Sequence, residues 1–193
     1  MVKRIATVLL CSTLGSILYA RDDISQSSPF IGLEIGYATV QGAVYNESGV
    51  FPIYESDYEG SDIEFGIRIG AKKNEWRTTL SFNYFDGDED GRKQNYEKGL
   101  ASLDYFFLFS NQEKNNFQPF IGLNVGYTNY ESTGNIDMSG FIYGGQIGIL
   151  FSVAENIDVD LMYRYSLSNA TQEDRDAELD HIGSIVFGIN YVY

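Results

Sequence analysis

The chain has 193 residues, enough for one sizeable domain, with 13 Lys and Arg against 27 Asp and Glu, a formal net charge of -14. Nucleic acid and anionic membrane surfaces are held through basic residues that neutralise phosphate, so this balance argues against both as partners. A single cysteine excludes a disulfide framework and a cysteine metal site.

The first element is MVKRIATVLLCSTLGSILYA, residues 1–20. Lys3 and Arg4 precede an apolar run from Ile5 to Leu18, and Leu18-Tyr19-Ala20 ends it, the order of a secretory signal peptide cleaved after Ala20. As a membrane anchor the run falls short of the roughly 20 apolar residues a spanning helix needs, and Ser12, Thr13, Gly15 and Ser16 interrupt it. A lipoprotein reading would use Cys11, but Leu10 stands where that site favours a small residue. Cleavage leaves one domain, 21–193, of 193 − 20 = 173 residues; it removes the cysteine and two bases, so the charge becomes −14 − 2 = −16.

Period two then dominates. In FIGLEIGYATV, from Phe30, the residues Ile31, Leu33, Ile35 and Tyr37 alternate with Gly32, Glu34, Gly36 and Ala38. The pattern recurs in seven further runs, around Ile63–Ile69, Trp76–Tyr84, Ala101–Phe109, Ile121–Tyr127, Tyr143–Phe151, Ile157–Tyr165 and Ile185–Tyr193. Alternation at this period predicts eight strands, and no stretch shows convincing helical periodicity. One face is bulky and apolar; the other mixes Gly, Asn, Ser and Gln with both signs of charge, a composition that suits a crowded polar interior. The apolar face then points at lipid, and its aromatic members gather toward strand ends as membrane girdles do: Tyr37, Tyr84, Tyr127, Tyr163 and Tyr165 near one rim, Trp76, Phe109, Phe151 and Tyr193 near the other.

Connections after the second, fourth and sixth strands (KKNE, SNQEKNN, AEN) are short, and those after the first, third, fifth and seventh run to about ten residues or more, as in outer-membrane barrels with short periplasmic turns and longer external loops. Both termini are then periplasmic. An open edge in hydrocarbon leaves backbone groups unsatisfied, so the expected fold is a closed, all-β, eight-stranded antiparallel up-and-down transmembrane barrel.

PFIGLEIGY, from Pro29 to Tyr37, recurs as PFIGLNVGY, from Pro119 to Tyr127, and differs only by Asn124 for Glu34 and Val125 for Ile35. With this strand signature the chain resembles the small outer-membrane β-barrel proteins, the OmpA-like and opacity-protein group of the porin-like superfamily. Its C-terminus, VFGINYVY, resembles the signal read by the barrel-assembly machinery, through Gly188, Tyr191 and Tyr193; Val186 departs from it where that family prefers a polar residue. The resemblance covers residues 21 to 193. It implies a cell-surface protein of the Gram-negative envelope, in contact with outer-membrane lipid and lipopolysaccharide.

An eight-stranded barrel is about wide enough for its own side chains to fill. The candidates for that filling are Glu34, Glu64, Arg68, Arg77, Lys98, Asp104, Asp158, Asp160 and Arg164, a lumen charge network in which acids outnumber bases, so that some carboxylates must share an arginine, bind water or hold a proton. Such a plug favours a structural or surface-interaction role, envelope integrity or adhesion, over a small channel or ligand carrier; a soluble lipocalin-type barrel with its apolar face inward stays a further alternative.

DGDEDGRKQNYE, from Asp86 to Glu97, matches an EF-hand loop, but strands flank it where helices are needed. Weak Ca²⁺ binding by Asp86, Asp88, Asp90 and Glu97 is the reading left to it; no other cofactor is expected. The other external segments are acidic with interleaved tyrosines, suited to a hydrated surface or to an extracellular protein ligand. An enzyme is not expected: the sole histidine, His181, and Ser184 fall on opposite faces of one strand.

Overall fold

The computed structural model describes residues 27–46, 53–89, 92–107, 117–132, 136–172 and 177–193. The expected signal segment, Asp90 and Phe109 lie outside them. Eight strands form: β1 (Ser28–Asn46), β2 (Ile53–Lys73), β3 (Trp76–Glu89), β4 (Arg92–Phe106), β5 (Phe117–Ser132), β6 (Ile136–Ala154), β7 (Ile157–Gln172) and β8 (Ala177–Val192). Each pairs antiparallel with its neighbour in sequence, and β1 pairs with β8 from Phe30↔Val192 to Val44↔Ala177, closing the sheet into an up-and-down barrel. Closure removes the edges that would otherwise carry unpaired N–H and C=O groups.

Alternation sets the two faces. On β1, Ile31, Leu33, Ile35 and Tyr37 face outward at 43% to 61% exposure, while Gly32, Glu34, Gly36 and Ala38 are buried in the lumen. The repeated motif places its two copies on opposite walls, where Glu34 and Asn124 both point inward, as do Phe30 and Phe120. Outward apolar residues continue around the barrel, and a contiguous belt of this kind has no place on a face meant for water.

β1 begins at Ser28 and β8 ends at Val192 at one end of the barrel, the near end. Here Asn74 turns β2 into β3 at φ 53, the left-handed region that asparagine tolerates. Asn156, in the turn from β6 to β7, donates through Nδ2 to the Val192 carbonyl at 2.8 Å and so ties that turn to β8.

The far end differs from expectation. The long connections anticipated there contract to the intervals 47–52, 90–91, 133–135 and 173–176, each shorter than the near-end interval 107–116. Pairing continues instead: β3 and β4 stay in register through Asp86↔Asn95, Gly87↔Gln94, Asp88↔Lys93 and Glu89↔Arg92. What sustains it is an inversion of polarity. Tyr84 faces outward at 43% exposure, Phe85 is wholly buried inside, and Asp86 is again outside and exposed. From that level onward Glu97, Glu131, Asp137 and Asp180 are exposed, while the inside holds an apolar cluster of Ala38, Val40, Phe85, Tyr96, Tyr130, Met138, Ala170, Leu179 and Ile182. The barrel therefore carries a crown with the polarity of a soluble barrel on a body with the reverse polarity.

Candidate functional site in the barrel lumen

Below the crown the lumen is filled by charge. Eight of the nine candidate residues, all but Asp158, are buried: four acids, Glu34, Glu64, Asp104 and Asp160, and four bases, Arg68, Arg77, Lys98 and Arg164. The two sets cancel. Asp158 is only half-buried, at the near-end mouth, so the excess of acids expected from sequence does not extend into the core of the network.

Seven side chains join into a closed ring. Arg164 Nη1 meets Glu34 at 3.2 Å, and Glu34 meets Arg68 Nη1 at 3.5 Å. Arg68 holds Asp160 with two nitrogens, Nη1 to Oδ1 at 3.1 Å and Nη2 to Oδ2 at 2.6 Å. Asp160 also takes Arg77 Nη1 at 3.0 Å, and Arg77 Nε donates to Asp104 at 2.9 Å. Gln146 completes the circuit, donating to Asp104 at 2.6 Å and accepting from Arg164 Nε at 3.2 Å. Three guanidiniums, planar and multiply donating, suit such bridging. An eighth pair, Lys98 Nζ to Glu64 at 2.7 Å, stands beside the ring, and Tyr96 OH donates to the same carboxylate at 2.5 Å, linking the charges to the crown.

Small residues make room for these chains. A Cβ at Gly188 would collide with the Arg68 guanidinium, one at Gly122 with the Asp104 carboxylate, and one at Gly66 with Glu34 Cγ and Asn83. At these three glycines the missing side chain is space that charged side chains from nearby strands occupy.

The near end is closed by a second apolar cluster, Phe106, Phe120, Leu150, Met162 and Val186. Arg77 Cζ lies 4.6 Å from the Phe120 ring centroid, and Lys72 Nζ lies 4.2 Å over Phe106 and bonds Gln118 on the opposite wall. Neither apolar cluster figured among the sequence-based site residues. The available signal was the apolar doublet, Tyr84-Phe85, Phe106-Phe107, Phe120-Ile121, Leu150-Phe151 and Val186-Phe187, in which both faces carry a large apolar group. Val186, where the C-terminal motif departs from its family, is the member β8 contributes to this cluster, and is wholly buried.

The remaining sequence candidates fall as follows. Tyr37, Trp76, Tyr84, Tyr127, Tyr163 and Tyr165 all face outward, as do Tyr191 and Tyr193, whereas Gly188 faces the lumen. Trp76 stacks edge-on against Tyr105 at 5.1 Å, and Tyr127 against Phe141 at 5.5 Å. Asp86 and Asp88 belong to β3 and Glu97 to β4, on an extended ribbon, and among the described residues no three Asp, Glu, His or Cys side chains gather to hold a metal. His181 packs on Tyr165 at 5.0 Å outside the barrel, while Ser184 is buried inside it.

No protein-family model and no curated protein sequence matches the chain. Solved structures do. Neisserial surface protein A is 15% identical, with a TM-score of 0.63 over 85% of this chain and 97% of that one. Outer membrane protein H (OprH) of Pseudomonas aeruginosa is 22% identical, with a TM-score of 0.56 over 86% and 99% of the two chains. The outer membrane protein OprG of the same organism is 16% identical at 0.51, over 86% and 97%. The chain shares the fold of these small outer-membrane barrels.

Proposed function

We propose that this protein is an integral outer-membrane barrel without enzymatic activity that works through its surfaces and not through its lumen. In this reading residues 1–20 direct export, both termini are periplasmic, and the acidic crown stands outside the cell. The outward aromatic residues sit at the boundaries of the lipid, and lipid and lipopolysaccharide surround the belt. Gly188, Tyr191 and Tyr193 serve the assembly machinery. The role is structural, in the envelope, or adhesive, toward an extracellular protein.

The observation that carries it is the neutral, closed ring of ion pairs with apolar clusters toward both mouths. An ion entering such a lumen would have to break buried charge pairs or cross an apolar layer, and each is costly. Planar-bilayer recording tests the reading. The purified barrel is expected to insert without producing conductance steps; regular, reproducible steps from the unaltered protein would overturn it in favour of a channel.

A further inference from the structure

The near-end mouth holds a cavity of about 620 Å³ that borders the ring only at Arg77. Its size is that of a small-molecule site. Its walls carry opposite charges. On the β2–β3 side lie Lys72 and Arg77; on the β7 side and its preceding turn lie Asp158 and Glu155, with Phe30 and Leu150 also among its lining residues. Arg77 is committed to Asp104 and Asp160, and Lys72 is braced by Gln118 and Phe106, so both cations are held in place. The two acids are not committed: among the described residues neither Asp158 nor Glu155 enters an ion pair or hydrogen bond, although Asp158 acts on Lys72 electrostatically.

A cavity with a held cationic wall, two carboxylates that make no ion pair or hydrogen bond among the described residues, and apolar residues in its lining suits a molecule that bears both charges. A purely anionic ligand would meet Asp158 and Glu155, and a purely cationic one would meet Lys72 and Arg77; like charges placed so cost binding energy. We propose that the near-end vestibule binds a small amphoteric molecule of the amino-acid or short-peptide class, its carboxylate at Lys72 and its ammonium at Asp158. Charge-assisted hydrogen bonds at both ends would fix its direction. The geometry stands whether or not the surface role proposed above is correct; only the assignment of the periplasm as the source of the ligand rests on that reading.

The test is calorimetric titration of the full barrel in lipid nanodiscs with alanyl-alanine. Two blocked probes, N-acetyl-alanyl-alanine and alanyl-alanine amide, each remove one charge. The free dipeptide is expected to bind at least about tenfold more tightly than either, a margin of about 1.4 kcal/mol. Asp158→Asn should abolish the preference over the acetylated probe, and Lys72→Met the preference over the amide. Absence of binding, or equal affinity for all three probes, overturns the proposal on the unaltered protein whether or not the variants fold. Retained preferences in folded variants also overturn it. Conductance is not read in this assay, so its failure is distinct from failure of the surface role.

Discussion

Asp160 bears more of the lumen than any other single carboxylate. It receives both outer nitrogens of Arg68, one of Arg77, and Asn190 Nδ2 at 3.2 Å. Replacing it with alanine takes one carboxylate from each of two buried guanidiniums, leaving Arg68 with Glu34 and Arg77 with Asp104, and the loss of one partner from a buried pair costs about 3–5 kcal/mol. Asp160→Ala should therefore lower the midpoint of urea unfolding in lipid vesicles by that equivalent, whereas Glu155→Ala, at the exposed turn, should leave it within about 0.5 kcal/mol. Gly188→Ala tests the space argument: its methyl meets the Arg68 guanidinium, with an expected cost of about 1–3 kcal/mol. Shortening Arg68 in the same molecule should make the two costs less than additive, the mark of direct contact in a double-mutant cycle. Most ring members were legible as charged residues in the polar period. Their pairing was not, because Arg164 and Glu34 are far apart in sequence and meet only when the barrel closes.

At the scale of the strand, the instructive feature is where alternation changes meaning. The period of two runs unbroken through β3, so the strand itself was readable. The sense of the period reverses after Tyr84, and the reading from sequence took DGDEDG for a loop. Phe85 was the clue: a large apolar residue in the lumen period, stacked on Tyr96 at 4.7 Å with ring planes 1° apart. Reversal has a physical cause. In the membrane setting proposed above, the outer face beyond the bilayer meets water, so burial there stabilises only inward apolar groups. Phe85→Ala should open a cavity in the crown and cost about 3–5 kcal/mol. Hydrogen exchange should speed at the far ends of β3 and β4, while amides near Leu33 and Leu123 stay protected; uniform acceleration would show that crown and body are not separate layers.

For the whole molecule, orientation was set by a weak signal repeated eight times. Any one alternating strand fits a soluble sheet as well as a lipid-facing one. Eight in succession, each with its bulky residues on one side and glycine or charge on the other, leave a closed barrel with its apolar surface outward, which is the fold observed. The lengths of the far-end connections were misjudged because strand pairing continues past the outward apolar belt. The apolar clusters were missed because polar and charged residues dominate the lumen period.

One residue tests the orientation directly. Trp76 is the sole tryptophan, faces outward at 49% exposure, and sits in the belt beside Tyr105. Its fluorescence should be quenched strongly when the barrel is refolded into vesicles of phospholipid with brominated acyl chains, and only weakly by acrylamide in the water. Strong quenching by acrylamide with none from the brominated chains would contradict the account, because it would place the apolar face of this barrel away from lipid.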